Sequence, residues 1–231
     1  FYLATNQVDQ AEAALKAAVA IDPHSLLANR ALGYLYMGTR REAAAEPYLK
    51  VVADAAPDQA GKLALADYYV ASRRADDARK LLTSLETGTS GAGSAPVELR
   101  LASLEFDAGD TAAAASRIDK ILSADSYNAD ARGALSHILL RTGRIYDALT
   151  AAQQASQANP QSAKVKFVLG LADDAHHNDS DAMTAFNDAL RLDPRMGAAE
   201  MELARLDLHA GRLSQAEQLI ESAVKKLPDS P

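Results

Sequence analysis

One helix-stopping pattern recurs along this 231-residue chain, and it constrains the fold more than any other feature. In Asp181–Pro194, Ala182, Phe186 and Ala189 are spaced four and three residues apart, which stacks them on one face of a helix. Ala185 and Leu190 widen that stripe, while Asn187, Asp188 and Arg191 point to water. Pro194 cannot continue the helix, and it pushes Asp193 out of the α region. Slid by 34 residues, the same pattern returns. Ala216, Ile220 and Ala223 precede Pro228, and Ala148, Ala152 and Ala155 precede Pro160. Ala114, Ile118 and Ile121 precede Ser126, where serine replaces the proline, and Ala11, Leu15 and Ala18 precede Pro23. The first alanine always lies 12 residues before the stop, and Gly109, Gly143 and Gly211 sit five residues before their alanines, as turn glycines would.

Upstream of each turn lies a second helical segment marked by a leucine and a small residue. The pairs are Leu32-Gly33, Leu65-Ala66, Leu101-Ala102, Leu135-Ser136, Leu169-Gly170 and Leu203-Ala204, and the small residue lets two helices approach closely. A period near 34 built as helix, turn, helix and proline resembles the tetratricopeptide repeat (TPR) family. The resemblance implies an all-α fold, a right-handed α-solenoid of about 13 helices in antiparallel pairs. It places one array over residues 1–231, with a partial first repeat at 1–25 and repeats at about 26–58, 59–94, 95–128, 129–162, 163–196 and 197–231. Helix pairs are expected at about 95–108 and 111–124, 129–142 and 145–157, 163–176 and 179–191, and 197–210 and 213–226.

The N-terminal half is less regular. Phe1 to Thr5 read as the last turn of a helix whose start is missing, and the first complete helix is expected from about Gln7 to Ala20. Gly38 comes two residues early and Pro57 follows Ala43 by 14 residues, which predicts a shortened first helix and a lengthened second one in that repeat. Pro47 falls inside the second helix, where it is expected to kink it. Three glycines among serines and threonines make residues 87–95 a flexible loop.

Composition narrows function by exclusion. There is no cysteine, hence no disulfide framework and no thiolate chemistry. The net charge of −7, with both signs interspersed, disfavours nucleic acid as the main partner. No apolar run approaches the length of a membrane span. The five histidines include no His-x-x-x-His pair, so no metal site is expected. No nucleophile elbow and no phosphate-binding loop with Lys-Ser/Thr is present, and the acidic residues are expected in turns and on outer faces. Neither catalysis nor a cofactor is expected.

In the TPR family the first helices of the repeats line a concave groove that holds peptides or partner helices. Carried over by position, that groove is lined here by Arg30, Tyr34, Met37, Leu63 and Asp67, then Leu99, Arg100, Ser103, Phe106, His137 and Arg141, and finally Lys164, Phe167, Leu171, Met201, Arg205 and Leu208. Large apolar groups beside Arg30, Arg100, Arg141, Lys164 and Arg205 would suit a partly apolar, acidic segment of a protein partner. Family members that clamp a C-terminal carboxylate use lysine, asparagine and arginine in this groove. The corresponding residues here are Leu63, Asp67, Leu99 and Arg100, or Gly133, His137, Phe167 and Val168, and that clamp is not expected. Two other roles stay open. Repeat arrays without polar capping helices expose apolar ends, so the chain is also read as a structural subunit that stacks or docks through them. It is equally read as a regulatory module of a longer protein. The Ala-rich, cysteine-free style resembles bacterial arrays that serve envelope assemblies.

Overall fold

The computed structural model describes residue 2 and residues 7–56, 58–86 and 94–226. The first helix end expected before residue 6, the stops at Pro57 and Pro228, and residues 87–93 of the expected loop lie outside the described residues. Among the described residues there are thirteen α-helices and no strand. They are α1 (Val8–Ile21), α2 (Leu26–Gly38), α3 (Glu42–Ala55), α4 (Ala60–Ala71), α5 (Ala75–Glu86), α6 (Ala95–Asp107), α7 (Thr111–Ala124), α8 (Ala129–Arg141), α9 (Ile145–Ala158), α10 (Ala163–Ala175), α11 (Asp179–Leu192), α12 (Gly197–His209) and α13 (Leu213–Lys226). The starts of α8, α10 and α12 at residues 129, 163 and 197 are 34 residues apart. Among the described residues no helix is long and apolar enough to cross a membrane.

Two local devices set the helix boundaries. At the inter-repeat stops the C-cap is extended, with φ and ψ of −132° and 94° at Asp22, −134° and 95° at Asp193 and −141° and 93° at Asp125. In each case the aspartate Oδ1 accepts a hydrogen bond from the backbone N–H two residues on, at His24, Arg195 and Tyr127. This side-chain turn forms at Asp125 although Ser126 replaces the proline, so the aspartate closes the chain there without help. After Asp22 and Asp125 the next helix is capped by Ser25 and Asn128, and after Asn159 by Ser162; these side chains accept from the N–H groups of Ala28, Ala131 and Val165, whereas α12, after Asp193, has no side-chain cap.

The tight turns inside the pairs share one pattern. The N–H groups of Arg41, Arg74, Asp110, Arg144, Asn178 and Arg212 bond to the carbonyls of Tyr36, Tyr69, Glu105, Leu139, Asp173 and Asp207 at 2.7–2.9 Å. The residue before each donor is left-handed. Three are glycines, Gly109, Gly143 and Gly211, but the others are Arg40, Arg73 and His177, with φ of 57°, 58° and 64°. This corrects the expectation at Gly38. Gly38 is the last residue of α2, the left-handed residue is Arg40, and the buried alanine of α3 is Ala45 and not the exposed Ala43. With Ala45 in register, α2 and α3 have 13 and 14 residues, as α8 and α9 do, and neither is shortened or lengthened. α3 runs through Pro47, and Ala95, the last residue of the expected loop and the first of the helix expected at 95–108, begins α6 with Pro96 in its first turn.

The chain divides into two compact units, Phe1–Leu104 and Glu105–Pro231. In the first, Leu32, Leu49, Leu65, Leu82 and Leu101 join Tyr36, Tyr68 and Tyr69 in one continuous core. A Cβ at Gly33 would lie 2.6 Å from Leu49 Cδ2, so glycine is what lets α2 and α3 meet so closely. In the second unit several buried clusters follow one another along the helices. Phe186 anchors one cluster with Ala182, Ala189, Ala199 and Leu203, while Ala148, Ala151, Ala152 and Ala172 make two smaller ones. Gly170 there faces Phe186, whose ring would lie 2.5 Å from an added Cβ.

Acidic residues are not confined to turns and outer faces as expected. Glu98, Glu105, Asp173, Glu200 and Asp207 are buried. Arg117 pairs with Glu105 and Arg212 with Asp207, both at 2.7 Å, so those burials are compensated by charge-assisted bonds.

Candidate functional site

In the unit Phe1–Leu104 the first-helix positions present a mixed face. Arg30 and Tyr34 are exposed on α2, Tyr34 at 53%. Leu63 and Met37 are half-buried against the core, and Leu99 is half-buried on α6. Arg100 is not the unpartnered cation that its sequence position implies. Its guanidinium grips Asp67 with two hydrogen bonds of 2.7 Å and also donates to the Pro96 carbonyl at 3.0 Å. Bidentate pairing of this kind holds α4 to α6 and removes Arg100 as a free attractor for an acidic ligand.

In the unit Glu105–Pro231 the face is organised around His137. The Phe106 ring lies 5.0 Å from the His137 ring, and the Arg141 guanidinium sits 5.0 Å above the same phenylalanine. Phe106 itself is 9% exposed, so it forms the floor of this stack and not the free apolar group expected. The His137 residue is exposed, but partial desolvation where its ring rests on Phe106 lowers the imidazole below its ordinary range, the Asp107 carboxylate opposes this, and the positive charges of Arg141 and Lys164 reinforce it. An imidazole on an aromatic ring, a guanidinium lying on the same ring and the exposed Lys164 therefore lie together on α8 and α10.

Further along, Phe167 is half-buried and packs on Phe186 at 5.6 Å, and Leu171 packs on the same cluster. Both are support more than contact surface. Met201 and Leu208 on α12 are 42% and 46% exposed. Arg205 pairs with Asp174 at 2.5 Å and Glu202 at 2.9 Å, so its charge, like that of Arg100, is neutralised. Of the five cations singled out by position, Arg30, Arg141 and Lys164 form no ion pair among the described residues. The acids that neutralise the other two lie about one repeat away or one helical turn away. Asp67 stands in the expected groove, but Asp174 and Glu202 are absent from it, although Asp174 occupies the same repeat position as Leu208.

Comparison with known proteins agrees with the helical-repeat fold. A tetratricopeptide repeat family model matches residues 2–63, 105–170 and 180–231. The chain belongs to the tetratricopeptide repeat family. Similar TPR folds recur among solved structures. A chain of the APC/C hetero-tetramer Cut9-Hcn1 superposes with a TM-score of 0.71 at 15% identity, over 98% of this chain and 45% of that one. A thermophilic TPR protein of Thermus thermophilus gives 0.64 at 21% identity, covering 73% of this chain and 91% of that one. PilF of Pseudomonas aeruginosa gives 0.58 at 23% identity, covering 71% and 74%. This chain thus spans less than half the length of the first of these, and at such identities the likeness is one of fold. No curated relative matches the sequence.

Proposed function

We propose that this TPR chain is a non-catalytic scaffold that binds a segment of a protein partner on the first-helix face of residues 105–226. The observation that carries this reading is the His137 cluster, where two unpaired cations, Arg141 and Lys164, flank an aromatic floor made by Phe106. Met201 and Leu208 add exposed apolar surface on the same set of helices. Such a face suits a segment that brings a carboxylate to the cations and apolar side chains to the rest. The family's use as protein-interaction scaffolds supports the same role.

The test uses this chain and its Arg141→Glu/Lys164→Glu variant as baits in lysate of the source organism. Both side chains lie at the surface of their helices, so the helical circular dichroism of the variant should match the wild type. A partner captured by the wild type and lost at least tenfold in the variant is the expected result. A partner held equally by both baits would place recognition elsewhere and overturn the proposal.

A further inference from the structure

In most helix pairs, the tyrosine or acid five residues before the turn's donor N–H is covered by a partner. In the first complete pair Tyr48 packs over Tyr36 with ring centroids 5.7 Å apart. In α5 the matching residue is Leu81, packed on the same core as Tyr69, and in α7 it is Arg117, bonded to Glu105 at 2.7 Å. In α9 the position holds Ala151, twelve residues after Leu139 and packed with it in one small cluster, and its methyl group leaves space above the pair that a tyrosine, leucine or arginine would fill. The result is a cleft of about 340 Å³ between α7 and α9. Its floor is Leu135, Leu139 and Ala151, and its rim carries Asp119, Asp147, Thr150 and Gln154 with Arg144. Leu139 is 7% exposed and Leu135 half-buried, so the floor is apolar and recessed.

The rim is acidic in balance. Arg144 is held by Asp147 at 2.7 Å, which cancels both charges. Asp119 is exposed on α7 and makes no ion pair with a described residue. An apolar slot with one free carboxylate at its edge matches the shape of a long basic side chain, whose methylene stem needs apolar cover and whose head needs an anion.

We propose that the cleft between α7 and α9 is a second recognition site, one that accepts an arginine or lysine side chain of a partner polypeptide. The stem lies on Leu135, Leu139 and Ala151, and the cationic head meets Asp119. The site lies between the second helices α7 and α9, over the side of α8 that carries Leu135 and Leu139 and not the side that carries His137, so its residues are not those of the first proposal.

The experiment pans a phage-displayed random peptide library on the wild-type chain, then measures the best synthetic peptide by fluorescence polarisation. The expected peptides carry Arg or Lys next to an aliphatic residue. Their affinity should fall at least tenfold in Ala151→Leu, which fills the slot with a residue that α5 holds at the matching position. It should fall comparably in Asp119→Lys and stay unchanged in Arg141→Glu/Lys164→Glu. Thermal melting of Ala151→Leu checks that lost binding is not unfolding, and the exposed Asp119→Lys site decides the matter if it unfolds. Selection of no peptide, of peptides without a basic residue, or of peptides that bind both cleft variants normally would overturn the proposal.

Discussion

The two units solve the same packing problem with different chemistry. In Phe1–Leu104, large leucines and tyrosines form one core, and the hydroxyls of Tyr36 and Tyr69 are each tied to a glutamate of the preceding pair. Tyr36 donates to Glu12 at 2.9 Å and Tyr69 to Glu46 at 3.3 Å. Arg41 and Arg74, just past the turns, lie 4.8 and 4.5 Å above those tyrosine rings and also bond to the same glutamates. In Glu105–Pro231 the tyrosine position is taken by Glu105, Leu139, Asp173 and Asp207, and more of the buried side chains are alanines, set among isoleucines, leucines, valines and Phe186. A repeat fold therefore tolerates replacement of its polar tie, provided that the substitute acid finds a cation or an amide. It also follows that the second unit relies more on small side chains, alanine above all, for its packing.

The largest expected effect tests that reliance. Phe186 is fully buried in an alanine-rich cluster, and Phe186→Ala should cost about 3–5 kcal/mol in urea unfolding. Hydrogen exchange should show lost protection concentrated in α10 to α12. Leu49→Ala, removed from a continuous leucine core, should leave those helices protected. Equal loss of protection throughout the chain in both variants would erase the distinction between the units.

An acid titration sharpens it. Hydrogen bonds from Lys16, Arg41 and Tyr36 pull the Glu12 carboxyl down to about 2, and Arg74 and Lys50 do the same for Glu46. A carboxylate with a lowered folded pKa contributes stability that is present above its unfolded value near 4.5 and lost as the pH falls toward 2. Asp173 behaves in the opposite sense. Burial raises its carboxyl above the ordinary range, although a hydrogen bond from Asn178 opposes this, so its charged form is a penalty at neutral pH that acid relieves. Exchange measured between about pH 5 and 2.5 should therefore show α1 to α5 loosening, and Glu12→Gln with Glu46→Gln should flatten that response. Asp173→Asn should remove the opposing contribution from α10.

The smallest effect concerns Gly133. It is buried within α8, yet an added Cβ would meet nothing within 4 Å. Gly133→Ala should raise stability by about 0.5–1 kcal/mol, because the helix loses a flexible residue without a clash. A melting temperature lower than that of the wild type would mean that the space beside α8 is needed. Gly170→Ala, pressed on Phe186, supplies the contrast and should destabilise.

Much of this architecture is legible in the sequence, because the signals are local. The stops at Asp22 and Asp193 and the spacing of Ala114, Ala148 and Ala182 place the helices of residues 95–226 to within a residue of their observed ends. Errors arise where the signal is absent or borrowed. Arg40, Arg73 and His177 adopt a conformation usually left to glycine, so nothing in their identity marks the turn, and Gly38 draws the assignment instead. The candidate face is less legible. Arg100 and Arg205 read as free cations because the acids that neutralise them, Asp67 and Asp174, are 33 and 31 residues away. Phe106 reads as an open contact because its cover, His137 and Arg141, comes from the next pair. Single residues report on their own helix; the occupancy of a shared face depends on the neighbour that folds beside it.

The turns carry one more consequence. Each is closed by a bond spanning five residues, and the stops at Asp22, Asp125 and Asp193 by an aspartate bonding two residues on, so neither device needs anything from the rest of the chain. A gene segment encoding one helix pair can thus be duplicated or deleted in frame, and the new junction will find its punctuation already written on both sides. Heredity can change the length of such a protein by whole paragraphs without rewriting a sentence.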